Sequence, residues 1–165
     1  MVEAGLGQKV VITGLSYSYS LMAFKLPCII SEDLAKPAIV HANKFLLEHA
    51  CRGGGWNHGA FFCLGQYYAP YIVTTAEALL GLIDIPTNNK VQAALRYLSN
   101  AAHNESSAMA LAWSVLALNA FNYNSDKELK LLLELQNKDG SFGMNYFVTA
   151  ISLMALNISQ MASIF

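Results

Sequence analysis

Charged residues are scarce in this sequence. Asp, Glu, Lys and Arg make up 13% of its 165 residues, about half of the roughly 25% that is usual in globular domains. Ten basic residues nearly balance eleven acidic ones, which gives a formal net charge of −1. The chain has no basic excess with which to bind a phosphate backbone, so we expect no nucleic-acid partner. Its 55% of hydrophobic residues excludes intrinsic disorder, because a disordered chain carries far less apolar surface.

Apolar runs of membrane-spanning length are also missing. A spanning helix needs about 20 consecutive apolar residues, whereas the best run, 107–121, is shorter and contains Asn119. The first ten residues lack the basic and apolar regions of a signal peptide. We therefore expect a soluble, cytoplasmic protein, and peripheral contact between an apolar patch and a membrane surface stays open.

The few cysteines match no metal or redox motif. Cys28, Cys51 and Cys63 are odd in number, and their spacing fits neither a zinc site nor the C-x-x-C motif. We predict reduced thiols that pack as small hydrophobic side chains. No metal ligand and no cofactor is predicted.

Helix-starting residues recur before stretches of periodic apolar residues. The pairs Asn88–Asn89 and Ser106–Ser107 each offer an N-cap. Ser125 and Glu128 have the spacing of a capping box, so Glu128 is expected in a solvated helix cap. Because the alternation typical of strands is nearly absent, the predicted class is all-α, with about seven helices.

The predicted helices are of two kinds that alternate along the chain. The amphipathic ones cover 36–50, 90–100 and 127–136. Those that are apolar nearly all round cover 71–83, 108–121 and 147–158. A helix without a polar face must be buried on both sides or line an apolar cavity. The alternation therefore predicts stacked helical hairpins with an outer and an inner layer.

The apolar stretches are similar to one another. Residues 75–82 (TAEALLGL) align with 149–156 (TAISLMAL), and equivalent positions recur at Leu79, Val115 and Leu153, 36 and 38 residues apart. A period near 37 residues, with two helices in each unit, is typical of a helical repeat array.

The loops within the hairpins carry the most distinctive string. Gln136 is followed by Gly140, in an Asp-Gly turn that favours positive φ, and then by Phe142. In the first repeat, Gly54 and Trp56 stand in the equivalent places. The sequence therefore predicts that the same loop is used twice.

This string, Gln136-x-x-x-Gly140-x-Phe142, matches the QW motif. The chain thereby resembles the prenyltransferase/squalene-oxidase repeat family of triterpene cyclases and protein prenyltransferase β subunits, over about residues 35 to 158. The resemblance implies a partial α/α toroid of the terpenoid cyclase and protein prenyltransferase type. It also implies that the glutamine ties neighbouring helix ends while the aromatic residue packs over them. The residues expected to be structural in this way are Gln136, Gly140, Phe142, Gly54 and Trp56.

The catalytic motifs of that family are missing. Its cyclases use an acidic D-x-D-D string, and its protein prenyltransferases hold zinc with D-x-C and a distant histidine; neither string occurs here. Catalytic residues are therefore not predicted, His103 is assigned no special role, and an isolated chain that is not an enzyme is favoured.

One segment has side chains suited to a binding site. The insertion, residues 57–71 (NHGAFFCLGQYYAPY), is long and aromatic, which is typical of a segment packed over a pocket. Its candidate ligand-lining residues are Asn57, His58, Tyr67, Tyr68 and Tyr71. The alternative is a lid that only covers the end of the helix stack.

These observations lead to two functional hypotheses. The first is a repeat domain without its own catalytic motif, which binds an apolar or isoprenoid ligand or a protein partner. The second is part of an isoprenoid-processing enzyme whose catalytic residues lie on missing sequence or on a partner chain. Residues 1–30 form the leading helix of an incomplete hairpin and residues 31–165 the hairpin repeats, fewer than a complete toroid needs. We therefore expect self-association or a larger parent chain.

Overall fold

The computed structural model describes residues 16–25, 32–58 and 62–162. Its elements in chain order are α1 (16–24), α2 (Glu32–Glu48), β1 (Phe62–Cys63), β2 (Gln66–Tyr67), α3 (Ile72–Gly81), α4 (Asn89–Ala102), α5 (Ala108–Ala120), α6 (Asp126–Glu134) and α7 (Tyr146–Ala162). These seven helices and one short hairpin in the described ranges confirm the all-α class. Cys28 and most of the predicted leading segment lie outside the described residues.

Two helices begin where local chemistry predicts. The Asn88 side chain accepts a hydrogen bond from the backbone N–H of Lys90 at 2.9 Å, at the start of α4. Ser107 Oγ accepts one from the N–H of Ala110 at 3.4 Å, at the start of α5. Each cap satisfies an N–H that the helix itself leaves without a partner.

The predicted capping box at α6 is wrong. The Ser125 side chain makes no cap hydrogen bond; its Oγ accepts one from Asn119 Nδ2 at 3.0 Å instead. Asn124 Oδ1 takes over part of the capping and accepts from the N–H of Asp126 at 3.0 Å. Ser125 is buried against α5, so its hydroxyl is directed to the neighbouring helix rather than to its own.

Glu128 is likewise not in a solvated cap. Its side chain is 1% exposed, and its Oε1 lies 3.2 Å from Nε2 of His103, beyond the C-terminal end of α4, within ion-pair distance but without the geometry of a hydrogen bond. His103 therefore lies beside a buried carboxylate, a proximity that the sequence did not indicate. The spacing of residues along α6 carries no information about the histidine that approaches from another helix.

The helices pack in two layers. In the first, α5 packs against α3 and α7, and α1 reaches α3 through the hydroxyl of Tyr19, which donates to Glu77. The second layer consists of α2, α4 and α6. Helix α4 packs against α3 and α5 of the first layer, and α6 packs against α5 and α7. Helix α2 meets α4 where Lys90 Nζ donates to the Leu47 carbonyl at 2.5 Å. The apolar layer is thus α1, α3, α5 and α7, and the amphipathic layer is α2, α4 and α6.

Helix α5 lies at the centre of the core. Every residue from 111 to 118 is buried, as its lack of a polar face requires. Ser114 accommodates its hydroxyl there by donating to the carbonyl of Ala110 at 2.7 Å. Helix α7 differs, because Leu153 and Met154 are exposed. The longest described helices, α2 and α7, have 17 residues each, and within the described ranges none is long and apolar enough to cross a membrane.

The loops after α2 and α6 share one backbone geometry. Gly140 N–H donates to the Asn137 carbonyl at 2.9 Å, and Gly54 N–H donates to the Cys51 carbonyl at 3.1 Å. Gly140 has φ +85° and Gly54 has φ +92°, a region that glycine enters without the steric cost that a Cβ would bring. The predicted correspondence between the two loops is therefore present in their hydrogen bonds.

The aromatic residues of the two loops are also equivalent. The N–H of Phe142 donates to Thr149 Oγ1 at 3.0 Å, and the N–H of Trp56 donates to Thr75 Oγ1 at 2.9 Å. Both aromatic side chains are buried. Each loop is thereby fixed to the first turn of the apolar helix that follows it.

Gln136 makes a more local contact than the family resemblance implies. Its Nε2 donates to the carbonyl of Gly140 at 3.0 Å, so the side chain closes its own loop at the protein surface. In the first repeat Ala50 stands at the equivalent position, and the loop keeps its shape without this bond. The glutamine therefore supports a turn whose geometry the glycine already permits.

Candidate functional site

Two cavities lie at opposite ends of α3 and α5. The insertion cleft, about 650 Å³, is lined by the first turns of both helices together with His58, Tyr71 and Tyr97. The Trp113 groove, about 740 Å³, is lined by the last turns of both helices together with side chains of α1 and α7. Since like ends of α3 and α5 meet at each cavity, the two helices run in the same direction.

The backbone of Trp56 ties the base of the insertion together through hydrogen bonds to three residues, Tyr71, Thr74 and Thr75. The Trp56 carbonyl accepts from the N–H of Tyr71 at 2.9 Å and from the hydroxyl of Thr74 at 2.7 Å. The N–H of Trp56 donates to Thr75 in turn. The insertion therefore leaves and re-enters the fold at adjacent points, directly beside the N-terminal end of α3.

The structure places the predicted ligand-lining residues in two groups. His58 and Tyr71 line the insertion cleft, with their ring centroids 5.1 Å apart. Asn57, Tyr67 and Tyr68 do not line it. Asn57 is half-buried, and both tyrosines are exposed. The insertion thus forms one edge of a cavity, and the ligand-lining role stays a prediction for all five residues.

The outer part of the insertion is a small β-hairpin. Phe62 pairs with Tyr67 in an antiparallel register, and the two rings lie 4.8 Å apart. The turn consists of Leu64 and Gly65, which both have positive φ, as a type I′ hairpin turn requires. The Arg52 guanidinium lies 4.8 Å from the centroid of the Tyr67 ring. These contacts stabilise the insertion on its outer side.

Glu77 is the residue of this site that sequence reasoning missed. It belongs to α3, lines the insertion cleft and is 4% exposed. The Tyr19 hydroxyl donates to its Oε1 at 2.6 Å. Its Oε2 is buried and has no hydrogen-bond partner among the described residues. A signal was present in the sequence, because Glu77 is the only charged residue in the apolar stretch 71–83.

The surroundings shift the ionisation of this pair. Burial raises the pKa of Glu77, while the hydrogen bond from Tyr19 and the nearby His58 oppose that rise. The pKa of Tyr19 is raised as well, by burial and by the adjacent carboxylate. Tyr19 therefore stays a hydrogen-bond donor, and the carboxyl of Glu77 stays the acceptor.

A second acidic side chain and a second tyrosine complete the cleft. Glu105 Oε1 accepts from the N–H groups of Ser106 at 2.7 Å and Ser107 at 2.8 Å, just before α5 begins. The Tyr97 hydroxyl donates to the Pro70 carbonyl at 2.8 Å. The cleft therefore combines two carboxylates with aromatic walls.

The Trp113 groove has different walls. Trp113 itself is buried, and its Nε1–H has no hydrogen-bond partner within the described part of the chain. Leu80, Leu116 and Ile151 form apolar walls around it, and Met154 lies at the exposed side. One edge of the groove is polar and consists of Asn119, Asn122, Tyr123 and Asn124.

The repeat relates the two cavities. Glu77, Trp113 and Ile151 stand two residues before Leu79, Val115 and Leu153, so they occupy one equivalent position of successive apolar helices. All three line a cavity. The same position thus supplies a carboxylate to the insertion cleft, and an indole and an aliphatic side chain to the Trp113 groove.

The described residues offer no set of metal ligands. No three His, Cys, Asp or Glu side chains among them lie close enough together to hold a metal ion. Cys51 is a buried free thiol, and burial raises its pKa, which disfavours the reactive thiolate.

Comparisons with protein-family models, curated proteins and solved structures find no match to this chain. The insertion cleft and the Trp113 groove are therefore interpreted from their own geometry.

Proposed function

We propose that this chain is a helical-repeat binding module of the prenyltransferase/squalene-oxidase type, a partial α/α toroid, whose Trp113 groove takes an apolar ligand of isoprenoid size. In this proposal the chain contributes a binding surface and no catalytic machinery of its own. The observation that carries it is the Trp113 groove.

The dimensions and walls of the groove support a small-molecule ligand. Its volume of about 740 Å³ falls within the roughly 300–1,000 Å³ typical of ligand pockets. Helices α1, α3, α5 and α7 each contribute apolar side chains to it. Burial of a branched hydrocarbon against such walls is favourable by about 25 cal/mol per Å² of apolar surface removed from water.

The polar edge of the groove supports a ligand with one polar end. Asn119 already uses its Nδ2 to donate to the Val115 carbonyl at 3.1 Å and to Ser125. Asn122 and Asn124 are exposed beside it. An isoprenoid alcohol matches this arrangement, because its hydrocarbon chain fits the apolar wall and its hydroxyl can reach the asparagines.

The alternating layers and the two equivalent loops support the repeat assignment. Two of the apolar helices, α3 and α7, begin after a loop whose glycine has positive φ and whose aromatic side chain is buried, at Gly54 with Trp56 and at Gly140 with Phe142. In the proposed toroid the apolar layer is the inner one, so its helices are expected to line the ligand cavity.

Tryptophan fluorescence tests the proposal directly. The chain has two tryptophans, and Trp56→Phe leaves Trp113 as the reporter inside the groove. Phenylalanine is tolerated at the equivalent position of the other loop, Phe142. We expect farnesol to change the Trp113 emission saturably, whereas glycerol at the same concentrations leaves it unchanged.

A matched pair of variants locates the binding. Met154→Glu places a charge at the exposed side of the groove, and we expect it to weaken farnesol binding by about 10-fold or more, since a bound hydrocarbon would displace the water around that charge. Leu133→Glu makes the same change at an exposed position of α6 that does not line the groove, and its affinity should match that of the parent. Absence of a saturable response, or equal affinities in the two variants, would contradict the proposal.

A further inference from the structure

We infer that the insertion cleft is a separate binding site for a primary organic ammonium ion, which Glu77 holds through its Oε2. The inference is independent of the Trp113 groove, because the two cavities lie at opposite ends of α3 and α5.

The carboxyl of Glu77 is only partly satisfied by the protein. Oε1 receives the Tyr19 hydroxyl at 2.6 Å, while Oε2 is buried and has no partner among the described residues. Leaving a buried carboxylate oxygen without a donor is costly. A ligand N–H group that enters the cleft would supply the missing hydrogen bond.

The fold does not require an acid at this position. The equivalent residues of the following repeats are Trp113 and Ile151, which pack as apolar side chains in the same layer. Glu77 therefore adds a charge where an aliphatic residue would fit the helix packing. A cost of this kind is most readily understood if the carboxylate has a ligand.

The charges around the cleft select a cation. Glu105 adds a second carboxylate to the lining, and no Lys or Arg is among the described residues that form it. Among the described residues of the lining, His58 is the one basic side chain. An anionic ligand would face two carboxylates, whereas an ammonium ion is attracted by both.

The remaining walls indicate what the ammonium group is attached to. Tyr71 and Tyr97 present aromatic rings to the cavity, and Ile72, Val73 and Met109 provide apolar surface. Aromatic faces attract cations as well as apolar groups. The matching ligand is thus a primary ammonium ion with a short aryl or alkyl group.

Calorimetric titration of the full chain with three probes of similar shape tests this inference. The probes are 2-phenylethylammonium, the neutral 2-phenylethanol and the anionic 3-phenylpropionate, at about pH 8, where an alkylammonium ion stays charged. We expect the ammonium ion to bind about 10-fold or more tightly than the alcohol, because the hydrogen bond it donates to a carboxylate is charge-assisted. The phenylpropionate should bind more weakly than both.

Two matched glutamates provide the variant and its control. Glu77→Gln keeps the shape of the side chain and removes its charge, so the preference for the ammonium ion over the alcohol should disappear. Glu128→Gln makes the same change at a glutamate that is equally buried but lies on α6, outside the cleft, and the preference should remain. Thermal unfolding of both variants checks that they fold.

A third variant separates the cleft from any other binding surface. Tyr71 is half exposed, so Tyr71→Leu removes an aromatic wall at little cost to the fold. We expect it to weaken the ammonium probe several-fold while Glu77 maintains the preference over the alcohol. The inference would be overturned if the parent chain bound none of the probes or bound all three with equal affinity. It would also be overturned if the preference for the ammonium ion survived Glu77→Gln, or if Tyr71→Leu left the affinity unchanged.

Discussion

The two loop glycines provide a controlled test of how this fold uses close packing. Gly54 and Gly140 occupy equivalent turns, with φ of +92° and +85°. A Cβ added at Gly54 would lie 2.6 Å from the backbone oxygen of Ala93 in α4, whereas one added at Gly140 would meet nothing closer than Gln136 Nε2 at 3.9 Å. Alanine at either site has the same backbone strain, and only at Gly54 does it also collide with a neighbouring helix.

The expected magnitudes follow from these distances. Positive φ costs a residue with a Cβ about 1–2 kcal/mol, so Gly140→Ala should lower the free energy of unfolding by about that amount. A contact of 2.6 Å with backbone cannot be relieved by a side-chain rotation, and overpacking of this kind costs about 1–3 kcal/mol more. Gly54→Ala should therefore be destabilised by about 2–5 kcal/mol in total, the sum of the two effects.

Urea unfolding followed by circular dichroism measures the difference. At equal m-values, the midpoint should fall clearly further in Gly54→Ala than in Gly140→Ala. Equal midpoints in the two variants would show that α4 moves away from the loop without cost. That result would refute the argument that Gly54 is fixed by its contact with α4.

The remaining predictions concern pH and assembly. Because burial raises the pKa of Glu77 above its ordinary value of 4.5, the native state binds more protons than the unfolded chain between that value and the raised one. This contribution to stability is complete below pH 4.5 and is lost as pH rises through the raised pKa. Glu77→Gln should abolish that loss, which thermal unfolding from pH 4 to 8 can measure. A variant with the same pH profile as the parent chain would contradict the prediction. Leu153 and Met154 are exposed on α7, so we expect the chain to self-associate at micromolar concentration and Leu153→Glu to favour the monomer in light scattering; a monomeric parent chain would exclude this.

Much of the helical framework was predictable because its signals are local. The N-caps at Asn88 and Ser107 depend on side chains within three residues of the groups they satisfy. The loop glycines were predictable for the same reason, since the Asp-Gly turn requires positive φ at Gly140 whatever surrounds it. The failure at Ser125 is instructive, because its hydroxyl had a competing partner, Asn119, on the preceding helix.

The site was predictable only in part. The aromatic insertion marked the region of the cleft, and His58 and Tyr71 line it as the composition favours. Tyr67 and Tyr68 have the same side-chain type, but Tyr67 belongs to the β-hairpin, Tyr68 follows it directly, and both are exposed. Composition identified the segment, whereas the path of the chain through it decided which rings line the cavity.

The sequence by itself determined the order of helices, their alternation between amphipathic and apolar, and the two loops that repeat. The helices follow from the spacing of residues within about ten positions of one another, and the repeat follows from the similarity of stretches about 37 residues apart. Tertiary structure alone decided that Glu77 meets Tyr19 across α1 and α3, and that Glu128 meets His103 across α6 and the end of α4. The physical reason is that the burial of a carboxylate and its pairing depend on groups from distant parts of the chain, which one-dimensional periodicity does not specify.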